Sequence, residues 1–132
     1  MKAAGQLEFG QVPVVEMEGT FYSQGTSILR YICRKNEMYP EALADQYRVD
    51  SLVDSVEDFL QKFTGAMFAQ DPEVKKQKFA QFFEWLPFWL NVIEKRLEKN
   101  VTQTSLVGDK LTMADISMAA ITFNVIMNAA NP

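Results

Sequence analysis

The sequence contains no histidine. That absence removes Ser-His and Cys-His nucleophilic catalysis and every histidine-ligated zinc site, and no metal centre is expected. Cysteine is almost missing as well. Cys33 stands alone, so no disulfide can close within the chain, which suits a reducing compartment. There is no Lys/Arg-rich run that could neutralise a row of phosphates, and 13 basic residues against 17 acidic ones leave a net charge of -4. Nucleic acid is therefore not an expected partner. Long apolar runs are missing too. No window approaches the roughly 18 consecutive apolar residues of a membrane span, and Met1-Lys2-Ala3-Ala4-Gly5-Gln6 lacks the apolar stretch of a signal peptide. The expectation is a cytoplasmic protein without membrane insertion.

What is present is core material. Over 132 residues, 48% are apolar and 12% aromatic, enough to build a compact body. From Phe9 to Tyr22 the pattern is β-like: Val12-Pro13-Val14-Val15-Glu16-Met17 and Thr20-Phe21-Tyr22 flank Glu18-Gly19, which reads as a tight hairpin. After Ser23 the period is helical. Ile28, Leu29 and Ile32 share one face of a first helix that ends beyond Lys35, ahead of Pro40. A long amphipathic helix is expected from about Glu41 to Ala69, its stripe made by Leu43, Tyr47, Val53, Val56, Leu60, Phe63 and Met67. Asp71-Pro72 has the form of an N-cap followed by proline at the first helical position, opening a helix to about Lys99. Its apolar face runs through Phe79, Phe82, Phe83, Leu86, Trp89, Leu90, Ile93 and Leu97, and Pro87 is expected to kink or restart it. A last helix starts at Leu111-Thr112-Met113-Ala114-Asp115-Ile116, with Thr112 and Asp115 spaced as reciprocal caps. A hairpin beside four helices is an odd inventory, because a two-stranded hairpin alone is only marginally stable. Upstream sequence or another chain is expected to extend or cover it.

Four segments carry a resemblance. Phe9-Gly10-Gln11-Val12-Pro13-Val14-Val15 followed by Ser23-Gln24-Gly25-Thr26-Ser27-Ile28-Leu29-Arg30-Tyr31-Ile32 is similar to the glutathione-binding region of cytosolic glutathione transferases, most of all the sigma, mu, pi and alpha group. Val49-Asp50-Ser51-Leu52-Val53-Asp54-Ser55-Val56-Glu57-Asp58 resembles that group's fourth helix. Leu86-Pro87-Phe88-Trp89-Leu90 resembles its fifth, and Leu106-Val107-Gly108-Asp109-Lys110-Leu111-Thr112-Met113-Ala114-Asp115 its sixth. They occur in the right order over essentially the whole chain. The resemblance implies an α+β fold. Residues 1–39 would form a partial thioredoxin-like N-terminal domain, a β-hairpin plus helix that binds glutathione. Residues 40–132 would form part of an all-helical glutathione-transferase C-terminal domain.

The same resemblance implies roles residue by residue. Val12 and Pro13 match a pair whose cis proline turns the preceding backbone toward the peptide of glutathione, with Gln11 alongside. Taken alone, Pro13 would be a strand-edge proline. Gln24 matches the residue that holds the γ-glutamyl carboxylate at a helix N-terminus, where free N–H groups and the helix dipole favour an anion. Gly25 departs from the pattern, because the group usually has Ser or Thr there. Losing one hydrogen bond to a charged group costs roughly 1.5 to 3 kcal/mol, a weakening of about ten-fold or more. Lys2 is placed at the glycine carboxylate. Asp58 matches a carboxylate that reaches across a dimer interface to the glutathione amino group; by itself it would be a solvated acid on a helix flank. Phe9 matches the aromatic that inserts into the neighbouring subunit, a buried anchor of the kind that dominates interfaces. Thr112 and Asp115 match the group's capping box, and Arg30 and Tyr31 are read as structural.

The resemblance implies conjugation of the glutathione thiolate to a hydrophobic electrophile. A free thiol titrates near 8.5, so the group supplies a Tyr or Ser hydroxyl, or a Cys thiol, that hydrogen-bonds the sulfur and stabilises its charged form. That donor belongs to a strand expected ahead of Lys2. None of Tyr22, Tyr31, Tyr39 and Tyr47 lies at its place, so no catalytic residue is assigned, and the 132-residue chain by itself is expected to have no conjugation activity. The later helices of the family would follow Pro132. Three readings stand at this point: part of a longer active transferase, a non-catalytic transferase-like subunit serving dimerisation or a larger assembly, and a transferase-like module attached to a translation factor.

Overall fold

A computed structural model describes residues 6–128. They fall into two compact units, one ending at Tyr39 and the other beginning at Pro40.

The first unit contains β1 (Val14–Met17), β2 (Thr20–Ser23) and α1 (Gly25–Lys35). β1 and β2 pair antiparallel in the register Val14 to Ser23 and Met17 to Thr20, leaving Glu18 and Gly19 as a two-residue turn. Both turn residues have positive φ, 54° and 78°, as the hairpin turn matching strand twist requires. α1 packs against β2. Tyr22 of β2 stacks on Tyr31 of α1, ring centroids 4.8 Å apart. Cys33 and Ile28 are buried, and the Arg34 guanidinium lies 4.5 Å over the Tyr39 ring.

The second unit is helical: α2 (Leu43–Met67), α3 (Pro72–Lys99), α4 (Met113–Ile121) and a π-helical turn over Thr122–Ile126. α2 packs against both α3 and α4. Its buried residues are Val49, Leu52, Val53, Val56, Phe59 and Ala66. This corrects the expected stripe, since Leu43 and Tyr47 are 82% and 72% exposed whereas Val49, Leu52 and Phe59 are buried. A helix touched on two sides buries a wider face than a single amphipathic stripe. The core centres on Phe59, which meets Phe82 edge-on at 5.2 Å and Trp89 at 5.0 Å. Val56 and Ile121 complete the cluster.

α3 starts as its sequence suggests, with the Asp71 carboxylate accepting from the backbone N–H groups of Glu73 and Val74. The expectation of a restart at Pro87 is corrected: one helix runs from Pro72 to Lys99 with Pro87 inside it. Pro87 is exposed, and Phe82 and Trp89 on either side of it are buried. Packing of those two aromatics holds the helix through the one missing donor. After α3, Asn100 pins the connecting loop, its amide donating to the carbonyls of Ser105 and Gly108 at 2.7 Å each. The Asp115 carboxylate then accepts from Leu106 N–H at 2.7 Å and from Thr112 N–H at 2.8 Å. Loop and helix start are thereby tied by a single side chain.

Candidate functional site

The first unit carries a notch where the chain enters β1 and leaves β2. Gly10, at φ 68°, donates its N–H to the Leu7 carbonyl at 2.9 Å and turns the chain back on itself. Gln11, Val12 and Pro13 follow as an exposed run, and the Val12–Pro13 peptide bond is cis. On the far side β2 ends at Ser23 and Gln24 follows it. Phe9, Gln11, Val12, Pro13, Ser23 and Gln24 line a notch of about 20 Å³. That is room for about one water, so the notch can accept the edge of an extended molecule and cannot enclose one.

Gln24 is the N-terminal flanking residue of α1, at φ 70° and ψ 107°, and its side chain makes no capping hydrogen bond. A non-glycine residue in so sparsely populated a conformation costs on the order of 1 to 3 kcal/mol and persists where surrounding structure holds it. The Gln24 carbonyl accepts from Ile28 N–H at 2.9 Å, which closes the first helical turn, and Gln24 lines the notch. The leading amides of a helix lack intrahelical acceptors and carry a partial positive charge, so this corner favours an anion. A Cβ on Gly25 would meet Pro13 Cγ at 3.5 Å, an ordinary contact, so the missing side chain there is not enforced by crowding.

Of the residues singled out from sequence, Gln11, Val12, Pro13 and Gln24 line one notch and Gly25 adjoins it. Phe9, read as a dimer anchor, also lies at the rim and is 57% exposed. Asp58 is on an exposed face of α2, in the second unit. Lys2 lies outside the described residues. Thr112 and Asp115 serve the start of α4. Ser23 was not singled out: its hydroxyl donates to Glu8 Oε2 at 2.8 Å, joining β2 to the loop before the notch. The two are 15 positions apart with no shared motif, so nothing in the sequence pairs them.

Neither Tyr22 nor Cys33 is prepared for chemistry. The Tyr22 phenol is pushed above its ordinary value of 10.0, first by its hydrogen bond with Tyr31, then by burial and by the charges of Tyr31 and Glu18. Burial pushes the Cys33 thiol above 9.0, which disfavours the nucleophilic thiolate. Among the described residues no group of three or more Cys, Asp or Glu could hold a metal ion, and no helix is long and apolar enough to cross a membrane.

The chain is similar to known proteins. Residues 57–131 match the family described as glutathione S-transferase, C-terminal domain. The chain is 31% identical over 114 residues to rat glutathione S-transferase alpha-4, covering 86% of this chain and 51% of that protein. It is 33% identical over 116 residues to glutathione S-transferase 4 of Caenorhabditis elegans, covering 84% and 56% respectively. A solved Caenorhabditis elegans glutathione S-transferase superposes with a TM-score of 0.73 at 26% identity, covering 89% of this chain and 61% of that one. The chain thus spans about half the length of the curated relatives it matches.

Proposed function

The chain belongs to the glutathione S-transferase family, and from that premise we propose that its first unit is the binding half of a glutathione site. The fold is the family's: a hairpin and helix of thioredoxin-like type followed by a helical domain. One observation carries the reading. Gln24 is held in a sparsely populated backbone conformation, at an uncapped helix start, in the same notch as Gln11, Val12 and Pro13. Strain of this kind concentrates where a ligand is held.

Glutathione is an extended peptide with carboxylates at both ends, and a shallow edge-recognising notch suits it. The Val12 backbone N–H and C=O pair with the cysteinyl residue, as one strand adds to another. The γ-glutamyl carboxylate sits at the start of α1, held by Gln24 and the Gly25 N–H. Gln11 borders the same peptide. Asp58 meets the glutathione amino group across a homodimer, in which Phe9 is an anchor, and Lys2 meets the glycine carboxylate. Joined to a segment that supplies a thiol-activating hydroxyl, this half would serve conjugation of the glutathione thiolate to a hydrophobic electrophile in the cytoplasm; without one it is a non-catalytic transferase-like subunit. None of the residues lining the notch activates the thiol, and Ser23 spends its proton on Glu8.

Calorimetric titration with glutathione tests the binding half directly. Saturable binding, weakened about ten-fold by Gln24→Ala, is the expected result, as for a lost hydrogen bond to a charged group. Wild type and Gln24→Ala with the same affinity, or no binding at millimolar glutathione, would remove the reading.

A further inference from the structure

The second unit holds a larger cavity that has no part in the glutathione reading. It is an open groove of about 390 Å³ between α2, the end of α3 and the loop after α3. Its floor is apolar, formed by Leu52 and Val107, which are 1% and 3% exposed. Arg48, Arg96 and Lys99 line it, and no carboxylate is among its lining residues.

Arg96 is the telling group. It lies in the last turn of α3, where a cation ordinarily serves the helix's own terminal carbonyls. Instead its guanidinium crosses to α2 and donates to Ser51 Oγ at 2.9 Å, while the Ser51 hydroxyl donates to the Arg48 carbonyl at 3.0 Å. Arg96 is thus half-buried against a neutral hydroxyl. A guanidinium has five N–H donors in a planar fork that matches an oxyanion, and a partly desolvated charge is costly unless it is paired. Arg48 is partly neutralised by Asp45 at 2.9 Å. Lys99, exposed at the mouth, adds a second cation without constraint. The walls are also fixed in advance: Asn100 pins the loop to itself and Asp115 ties Leu106 to the start of α4. A preorganised groove loses little ordering entropy when it is filled.

We propose that this groove is a binding site for a small organic oxyanion, a carboxylate or phosphate ester whose head pairs with Arg96 and Lys99 and whose short apolar body covers Leu52 and Val107. The site is independent of the glutathione notch.

The test is titration of the full chain with phenyl phosphate, benzoate and benzyl alcohol, followed by calorimetry and by amide chemical shifts. Phenyl phosphate and benzoate are expected to bind and to shift residues around Leu52 and Val107, and benzyl alcohol is not. Arg96→Gln should weaken both anions by about ten-fold or more, and Lys99→Gln, at an exposed position that folding does not need, by a few-fold. Raising salt from 0.05 to about 0.5 M should weaken both as well. Arg96→Lys, which keeps the charge and the stem but loses the fork, controls for folding: its melting temperature should match wild type while anion affinity falls. Equal binding of benzyl alcohol, unchanged affinity in Arg96→Gln, or no binding at millimolar anion would overturn the proposal. So would a wild-type dimer that Arg96→Gln dissociates and that binds neither anion, because the groove's occupant would then be a second copy of the chain.

Discussion

The Asp115 carboxylate receives both the backbone N–H and the hydroxyl of Thr112, each at 2.8 Å, through the same oxygen. The other oxygen takes the Leu106 N–H at 2.7 Å. One side chain therefore starts α4 and anchors the loop in front of it. Asp115→Ala is expected to destabilise the protein by about 2 to 3 kcal/mol, more than an ordinary helix cap, and Asp115→Asn by less because an acceptor remains. Urea unfolding followed by far-ultraviolet circular dichroism reads both. A loss within a few tenths of a kcal/mol for Asp115→Ala would contradict it.

Gly25 offers a gain-of-function test. Its Cβ position meets only Pro13 Cγ, at 3.5 Å, and its φ is not positive. A serine there fits without strain and restores a hydroxyl beside the start of α1. Gly25→Ser should tighten glutathione binding by about ten-fold with an unchanged melting temperature. Calorimetry checks the first and a thermal melt the second. Unchanged or weaker affinity would show that this corner does not hold the carboxylate.

Pro87 sits inside α3, where it removes the N–H that would bond the Phe83 carbonyl. It is exposed, so alanine leaves no cavity. Pro87→Ala is expected to stabilise the protein, by as much as about 3 kcal/mol on the helix-propensity scale. A raised urea midpoint with an unchanged slope is the signature, and a lowered midpoint would mean that the proline is needed for the path of the helix.

Cys33 gives the pH dependence. Its thiol is raised above 9.0 by burial, so the folded chain keeps a proton that the unfolded chain releases. That contribution to stability is fully present below pH 9 and is lost as pH rises through the folded value. Tyr22, raised above 10.0, acts in the same direction at still higher pH. Stability should therefore fall above pH 9, and thiol labelling of the native protein should be much slower than after unfolding. Cys33→Ser should flatten the first part of that fall.

How much of this was legible in the sequence depended on range. The hairpin turn at Glu18-Gly19 and the cap at Asp71-Pro72 are decided by neighbours in the chain, and both stand where local reasoning puts them. The face of α2 was only partly legible. A 3.6-residue period finds the direction of burial but not its width, and Leu43 and Tyr47 keep the period while standing in solvent. At Pro87 the helix does not restart: propensity ignores the aromatic packing on both sides of it. At the candidate site, the run Gln11-Val12-Pro13 and Gln24 could be singled out by resemblance, and the fold brings them to one notch. The Glu8–Ser23 bond and the Arg96–Ser51 bond join residues 15 and 45 positions apart, and neither pair has a pattern that marks it.

The aromatic core has a spectroscopic consequence. Both tryptophans of the chain, Trp85 and Trp89, lie in the second unit with their rings 5.9 Å apart, and Lys62 sits 5.2 Å over the first. The first unit has tyrosines but no tryptophan. Emission excited at the red edge of the spectrum therefore reports on the helical unit alone. The hairpin and α1 could melt unseen beneath an apparently intact fluorescence signal, so ligand binding and unfolding of the first unit need tyrosine absorbance, amide shifts or heat to be followed at all.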